Sequence, residues 1–261
     1  MGKVLAIANQ KGVVGKTTTC INLAASLVAT KRRVLVIDLD PQGNATMGSG
    51  VDKHELENSV LDVLTGQIDI RKAMLPTEHG GYHILPANRD LTAAEVVLLE
   101  LEQREKRLQQ ALAEVCDEFD YILIDCPPSL NMLTVNALVA ADSVLIPMQC
   151  EYYALEGLTD LIGSIQRITA QLNPGLEIEG ILRTMYDPRL SLTVDVSAQL
   201  KEYFGDKLFD TVIPRNVRLA EAPSYGMPVL AYDKQSKGAL SHLALAGEMV
   251  RRQKQEIAVA H

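Results

Sequence analysis

The sequence contains no tryptophan and only three phenylalanines, and aromatic residues make up 4% of its 261 positions. The core must therefore be built mainly from aliphatic side chains, which the 47% hydrophobic content can supply. No apolar run approaches the roughly 20 residues of a membrane-spanning helix, so we expect no such helix. The first apolar run begins at Val4, which leaves no room for a signal peptide and predicts a cytoplasmic protein.

The four cysteines are too far apart in sequence to form a Cys-x-x-Cys metal or redox pair. We therefore expect buried, unpaired thiols, which suit a reducing compartment. The 33 acidic residues outnumber the 25 basic ones, which gives a formal net charge of −8. Since this balance is unlike that of a nucleic-acid-binding protein, any DNA contact would need a local basic patch, in more than one copy.

Short apolar segments alternate with longer amphipathic ones along the whole chain. Segments rich in Val, Ile and Leu predict strands that are buried on both faces of a parallel sheet. These strands are residues 4–8, 34–40, 82–86, 121–126, 143–148, 178–184 and 211–214. Helical periodicity predicts helices over residues 17–30, 92–119, 131–141, 154–172, 193–204 and 236–255. The alternation predicts a doubly wound α/β fold with a mostly parallel sheet, in a single domain over residues 1–261.

Two segments are less simple. The helix over 92–119 would begin with a Thr92–Glu95 capping box and would carry the pairs Glu100–Arg104 and Glu102–Lys106, four residues apart. Residues 46–80 are the least regular part of the chain, and we expect short helices and loops there.

The loop between the first predicted strand and helix indicates a phosphate site. Residues 9–19 read NQKGVVGKTTT, in which Gly15-Lys16-Thr17 is the ending of a phosphate-binding loop, although Gln10 stands where the usual spacing places a glycine. Backbone N–H groups and the helix N-terminus would bind an anion. Lys16 would contact the outer phosphates and the Thr17 hydroxyl would bind Mg²⁺, whereas the alternative is an ordinary turn.

Carboxylates follow two of the other predicted strands. Asp38 and Asp40 are two residues apart, so strand alternation predicts that both face one site, where one would orient or deprotonate a water molecule. Asp125 ends the strand over 121–126 and is the residue expected to contact Mg²⁺ through water. The alternatives are a solvated strand end for the first pair and a helix-capping aspartate for Asp125.

Five motifs resemble those of the ParA/MinD family of ATPases, whose phosphate loop is a deviant form. They are KGVVGKTT at 11–18, VLVIDLDPQGNAT at 34–46, YILIDCPPSL at 121–130, PMQCEYYALEGL at 147–158 and IPRNVRLAEAPSYGMPV at 213–229. The resemblance covers nearly the whole chain and is strongest to the chromosomal ParA (Soj) branch.

The resemblance implies an ATP-dependent switch for partitioning chromosomes or plasmids, with ATP or ADP and Mg²⁺ as ligands. Such proteins bind ATP·Mg²⁺ as monomers and then close into a face-to-face homodimer. Lys11 would reach the partner's nucleotide as an arginine finger does, and Lys16 and Asp40 would complete the catalytic set. Thr17 and Asp125 would serve Mg²⁺. The implied nucleotide contacts are Lys11, Gly12, Val13, Val14, Gly15, Lys16, Thr17 and Thr18 in the loop, with Pro214, Arg215 and Asn216 near the adenine, beside the strand end at Arg183 and Thr184.

In this family the ATP dimer binds double-stranded DNA without sequence preference on the nucleoid, and a ParB-type centromere-binding protein stimulates hydrolysis. Arg189, Arg215 and Arg218 lie in segments that resemble the DNA-facing part, and Lys201 and Lys237 are weaker candidates. The alternative for each is a solvated surface charge. A dimer doubles the patch, so we expect a salt slope of roughly −4 to −5 for the dimer and about half of that for a monomer.

Val13 departs from the family loop, which has a glycine at this position. Valine is poorly suited to the positive φ that glycines allow, and it adds bulk where the partner would dock. We expect a chain that binds nucleotide but closes or hydrolyses poorly. A tolerated substitution with a small adjustment of the loop is the alternative.

Four other functions are alternatives to this interpretation. A MinD-like membrane-cycling ATPase would need an amphipathic C-terminal helix, but the tail EMVRRQKQEIAVAH at 248–261 lacks a broad apolar face. An ATP-dependent amide- or ring-forming ligase shares the fold of this family. An iron–sulfur reductase of the nitrogenase type needs two cysteines per subunit near the dimer axis, a spacing that Cys126 does not match. A non-enzymatic DNA-bound scaffold would follow if Val13 abolished turnover.

Overall fold

The computed structural model describes residues 2–259, whose centre is one eight-stranded sheet. Its strands are β1 (Lys3–Ile7), β2 (Val34–Asp38), β3 (Leu75–Pro76), β4 (His83–Leu85), β5 (Tyr121–Asp125), β6 (Ser143–Gln149), β7 (Glu177–Tyr186) and β8 (Leu208–Pro214). The order across the sheet is β3-β4-β2-β5-β1-β6-β7-β8, and every neighbouring pair is parallel except β3 and β4. The predicted α/β fold with a mostly parallel sheet is confirmed.

Helices cover both faces of this sheet. They are α1 (Lys16–Ala29), α2 (Asn44–Gly48), α3 (Val60–Leu64), α4 (Ile70–Ala73), α5 (Ala94–Val97), α6 (Arg107–Leu112), α7 (Met132–Ala140), α8 (Ala154–Gln171), α9 (Ser191–Phe204), α10 (Val217–Glu221), α11 (Val229–Tyr232) and α12 (Lys237–Val259). Between residues 2 and 259, no helix is both long enough and apolar enough to cross a bilayer. Of the tail considered above, Ala260 and His261 lie outside the described residues.

Strand β1 shows how the sheet divides the core into two layers. Leu5 and Ile7 pack in one buried cluster with residues of α1 and α12, whereas Val4 and Ala6 pack in a second cluster with residues of α7 and α8. Alternate residues of a strand point to opposite faces, so an uninterrupted apolar strand serves both layers. The core is mainly aliphatic, as the shortage of aromatic residues predicts, and the four cysteines are buried and unpaired.

The single helix predicted over residues 92–119 is wrong. This part of the chain contains α5, α6 and short 3₁₀ turns, and Gln103 between them has a φ of 50°. The buried side chains explain the break: Leu98 and Leu108 are ten residues apart, so on one straight helix they would face directions about 80° apart. The first turn is capped by Asn88, whose side chain accepts a hydrogen bond from the backbone of Asp90, rather than by the predicted Thr92.

His242 in α12 is a fully buried ionisable side chain. Its Nδ1 lies 2.8 Å from the carbonyl oxygen of Gly238, and its Nε2 has no hydrogen-bond partner in the described part of the chain. Burial lowers the pKa of His242 to about 4, so the imidazole is neutral in the folded protein at neutral pH.

Acidification is expected to destabilise the fold through His242. In the unfolded chain the imidazole titrates near pH 6.5, so the unfolded state binds the proton first and stability falls as the pH drops from about 6.5 towards 4. Between pH 7.5 and 5 this costs about 2 kcal/mol of unfolding free energy. In urea titrations at the two pH values, His242→Leu should lose this difference. The exposed His54→Leu is the control, and an unchanged pH dependence in His242→Leu would contradict the assignment.

Candidate functional site

The loop between β1 and α1 lies at the carboxyl edge of the sheet. Gly15 precedes α1 with a φ of 82°, a left-handed conformation that suits glycine. No side chain caps the N-terminus of α1, which begins at Lys16. Its first backbone N–H groups therefore remain available to an anion, as the sequence predicts.

Lys16 holds the loop closed over this helix end. Its side chain is 5% exposed, and Nζ donates to the carbonyl oxygens of Lys11 at 2.9 Å and Gly12 at 3.4 Å. Burial lowers the pKa of Lys16, and the neighbouring carboxylate of Asp125 acts in the opposite direction. Since phosphate oxygens carry charge, they are stronger acceptors for this amine than the two neutral carbonyls.

Thr17 and Asp125 meet beneath the loop. The Thr17 hydroxyl donates to Asp125 Oδ2 at 2.7 Å, and Asp125 Oδ1 is buried with no hydrogen-bond partner among the described residues. Burial, and then the neighbouring Asp38 carboxylate, raise the pKa of Asp125 well above its usual value. A buried carboxylate with an unsatisfied oxygen beside a hydroxyl fits a hydrated Mg²⁺, whose charge would favour the ionised form.

Thr17 and Asp125 fit a magnesium ion that is also bound by the phosphates of a nucleotide. Within residues 2–259, no group of three or more His, Cys, Asp or Glu side chains is arranged to hold a metal ion. Mg²⁺ commonly takes one or two protein ligands and completes its shell with water and substrate phosphates. The pair of Thr17 and Asp125 is of this kind.

The expectation that Asp38 and Asp40 face one site together is wrong for Asp38. Strand β2 ends at Asp38, so strand alternation does not extend to Asp40. Asp38 is buried, and its Oδ2 accepts hydrogen bonds from the backbone N of Thr46 at 2.8 Å and from the Thr46 hydroxyl at 2.7 Å. Burial raises the pKa of Asp38 to about 6. Asp38 therefore anchors α2, whereas Asp40 is half-buried and its Oδ1 accepts only from the backbone N of Gln42 at 2.9 Å among the described residues.

The Lys11 amine contacts a residue outside the phosphate-binding set of Lys16, Thr17 and Asp125. Its Nζ donates to Glu151, just beyond β6, and this ion pair is exposed. Asn9 supports the loop, because its Nδ2 donates to the carbonyl of Pro147 at 2.8 Å and its Oδ1 accepts from the backbone of Lys11 at 2.9 Å. Sequence reasoning did not single out Glu151 or Asn9. Their position after strands, at the carboxyl edge where α/β ligands bind, was the available signal.

Val13 does not strain the loop. The residue is 76% exposed, and its φ is not positive, nor is that of Gly12. The expectation of backbone strain at Val13 is therefore wrong, since the left-handed conformation is confined to Gly15 in this loop. The remaining reason to expect an effect of Val13 is steric, because its branched side chain is exposed two residues from Lys11.

A cavity of about 390 Å³ opens beside the N-terminus of α1. The residues that line it include Gly15, Thr18, Thr184, Pro214, Arg215 and Asn216. The predicted adenine residues therefore lie next to the phosphate loop, and the Thr184 hydroxyl ties β7 to that loop by donating to the carbonyl of Val14 at 2.8 Å. Asn216 Oδ1 is buried without a partner among the described residues, which leaves an acceptor for an amino group.

The three arginines expected to contact DNA lie close to one another on the surface. Arg215 and Arg218 line one groove with Lys237 and Asp233, and Arg189 pairs with Asp187, a carboxylate whose pKa is also lowered by the charge of Arg215. Lys201 is not part of this surface, because its Nζ lies 3.8 Å from Asp210 near the start of β8.

Comparison with known proteins gives consistent matches over most of the chain. Residues 2–178 match a family described as an AAA domain. The chain is 51% identical over 249 residues to the sporulation initiation inhibitor protein Soj of Bacillus subtilis, covering 95% of this chain and 98% of that protein. It is 50% identical over 252 residues to the chromosome partitioning protein ParA of Myxococcus xanthus, covering 97% and 89%.

A solved structure also matches almost the whole fold. It is the cobyrinic acid a,c-diamide synthase of Mycobacterium smegmatis with bound ADP and magnesium, which is similar with a TM-score of 0.86. Sequence identity to that protein is 38%, and the match covers 97% of this chain and 96% of that one.

Proposed function

The chain belongs to the ParA/Soj family of chromosome-partitioning ATPases, and we propose on that premise that ATP binding makes it close into a homodimer that binds DNA. The observation that carries the nucleotide-binding part of the proposal is the Thr17–Asp125 pair, with its unsatisfied carboxylate oxygen, directly under a loop closed by a buried lysine, and the dimer and DNA parts are supported by the family. ATP is the substrate, ADP the product and Mg²⁺ the metal.

The side chains in and around the loop then have distinct roles in ATP hydrolysis. Lys16 would exchange its two carbonyl partners for the outer phosphates, and Thr17 and Asp125 would hold Mg²⁺, Asp125 through water. Mg²⁺, when bound, neutralises charge that develops on the transferred phosphoryl group. Asp40 orients the attacking water. The base fits the cavity at Pro214, Arg215 and Asn216, where the free Asn216 oxygen accepts from the adenine amino group.

Closure of the dimer brings a second lysine to each nucleotide. Lys11 leaves Glu151 and reaches the nucleotide of the partner subunit, where its charge acts as an arginine finger does. Two subunits side by side also double the surface formed by Arg189, Arg215 and Arg218, so DNA affinity rises steeply on dimerisation. A ParB-type protein would stimulate hydrolysis and so release the dimer from nucleoid DNA.

The experiment that tests this function measures mass and DNA binding in two nucleotide states. Light scattering with Mg·ADP and then Mg·ATP should give a monomer and then a dimer, and DNA should bind only with Mg·ATP. Nucleotide binding is measured in the same samples. An ATP-bound chain that never dimerises or binds DNA would overturn the proposal. Turnover that depends on amide formation, in place of DNA and a ParB-type partner, would favour the ligase alternative that the diamide synthase relative represents.

Val13→Gly is expected to strengthen ATP-dependent dimerisation by about tenfold and to raise the ATPase rate. The physical reason is steric, because an exposed branched side chain held against a docking partner costs on the order of 1–3 kcal/mol. ATP affinity should change little, because the Val13 side chain is exposed and glycine keeps the backbone N–H that a phosphate would contact. Sedimentation with Mg·ATP and steady-state phosphate release measure the two effects.

Val13→Ala shortens the same side chain by less than Val13→Gly does. Its matched control is Val96→Ala on α5, which shortens another exposed valine, 66% exposed, outside the loop. The dimer affinity and ATPase rate of Val13→Ala should lie between those of the original chain and Val13→Gly, whereas Val96→Ala should change neither quantity. Equal ATPase rates for the original chain and Val13→Gly would mean that the valine is tolerated.

A further inference from the structure

Two of the three DNA-facing arginines are already paired with carboxylates inside the subunit. Arg189 Nη2 lies 2.7 Å from Asp187 Oδ2. Arg218 is held twice, with Nη1 2.8 Å from Glu221 Oε2 and Nε 3.3 Å from Asp233 Oδ2. The guanidinium groups that would meet phosphates are therefore partly neutralised before DNA arrives.

These carboxylates are built into the same surface as the arginines. Asp233 lines the groove with Arg215, Arg218 and Lys237. Asp187 is placed by accepting from the backbone N of Arg189 at 3.1 Å. The hydrogen bonds from the side chain and backbone of Arg189, followed by the charge of Arg189 and then that of Arg215, hold the pKa of Asp187 at about 2, so it stays ionised throughout the physiological range.

The surface of one subunit consequently carries little net charge. Among the residues that form these ion pairs or line the groove, four cations, Arg189, Arg215, Arg218 and Lys237, stand against three carboxylates, Asp187, Glu221 and Asp233. The net charge of about +1 attracts a phosphate backbone only weakly. Two adjoining subunits carry twice this charge and attract the backbone more strongly.

We propose that Asp187 and Asp233 keep the DNA affinity of a single subunit low, so that only the paired surface of two subunits holds DNA. The inference rests on the proposed function. It assigns these two carboxylates the role of lowering the DNA affinity of the monomer, so that stable DNA binding needs the ATP-bound dimer. Without these carboxylates a single subunit would bind DNA more tightly, so the fraction of the ADP-bound monomer that is held on DNA would rise.

Neutralising either carboxylate while keeping its shape tests the proposal. Asp187→Asn and Asp233→Asn each remove one negative charge next to the phosphates, and each asparagine keeps an oxygen that can accept the local backbone hydrogen bond, from Arg189 or Gln235 respectively. We expect each variant to raise the DNA affinity of the ADP form about threefold at physiological salt. The ATP dimer should gain about tenfold, because both of its subunits contribute.

The probe is a short fluorescent duplex of random sequence, titrated with protein in Mg·ADP and in Mg·ATP between about 50 and 200 mM salt. Asp187→Asn releases Arg189 from its carboxylate and should also steepen the salt slope by about 0.9 for each subunit bound. Asp233→Asn should steepen the slope less, because Arg218 stays paired with Glu221. The control is Glu118→Gln, which removes one of the two carboxylates that pair with Arg71, an ion pair of 2.8 Å just before β5, and leaves Glu114 as the other.

The outcomes separate this inference from the proposed function. If Arg218→Glu leaves DNA binding of the ATP form unchanged, the DNA surface is misassigned and the inference about the carboxylates falls, whereas the proposed function falls only if the ATP form of the original chain does not bind DNA. If Arg218→Glu weakens binding but the two asparagine variants bind as the original chain does, only the inference about the carboxylates fails. Equal gains in Glu118→Gln would also overturn it, since net charge alone would then explain the effect.

Discussion

Lys11→Ala is expected to lower ATP turnover by about a thousandfold in a chain that also carries Val13→Gly, while ATP binding changes little. The structure gives the reason, because the Lys11 amine contacts Glu151 and lies outside the set of Lys16, Thr17 and Asp125. A charge that its own subunit does not use for binding would act only when it is delivered to the partner's nucleotide. Steady-state phosphate release and equilibrium ATP binding measure the two quantities separately.

The control for Lys11 is another exposed lysine. Lys72→Ala on α4 removes the same charge far from the loop and should leave turnover unchanged. A loss of turnover below tenfold in Lys11→Ala, or a matching loss of ATP affinity in the monomer, would contradict the role in the partner's site. The backbone of position 11 is unaffected by the substitution, so its carbonyl still accepts from Lys16.

The strands that carry the site were predictable because they are uninterrupted apolar runs. β2 and β5 are buried throughout and β1 is buried from Val4 onwards, and long aliphatic runs of this kind indicate inner strands of a parallel sheet. β3 has only two residues, Leu75 and Pro76, and gives no periodic signal. The break at Gln103 was not predicted because each half of 92–119 has good helical periodicity, and only the packing of both halves reveals that their apolar faces are out of phase.

The site was predictable where one loop carries it and less so where distant segments meet. The positions of Lys16 and Thr17 follow from the strand–loop–helix pattern alone. Asn216 is 200 residues further along the chain, and its place beside Gly15 came from the family resemblance, not from spacing. The Lys11–Glu151 pair joins residues that are 140 positions apart, and no local sequence pattern predicts it.

Asp40→Ala is expected to lower turnover at least about a hundredfold while the ATP-bound dimer accumulates, because a positioned carboxylate that orients water contributes factors of this size. Asp38→Ala is the informative contrast two residues away. It leaves the backbone N and hydroxyl of Thr46 without their acceptor in the core and should lower the free energy of unfolding by about 2–3 kcal/mol. A stable Asp40→Ala chain that hydrolyses ATP normally would exclude Asp40 from the reaction.

Mixing Lys11→Ala with Asp40→Ala, both carrying Val13→Gly, separates action within a subunit from action across the dimer. If Lys11 serves the partner's nucleotide and Asp40 serves its own, a mixed dimer has one complete site and one that lacks both groups. Equal amounts of the two inactive chains should therefore recover about a quarter of the activity, because half of the dimers are mixed and each has one working site of two. If Lys11 served its own subunit, neither site of the mixed dimer would be complete and no activity would return. The recovered rate thus reports directly whether the exposed amine that now faces Glu151 crosses the interface during turnover.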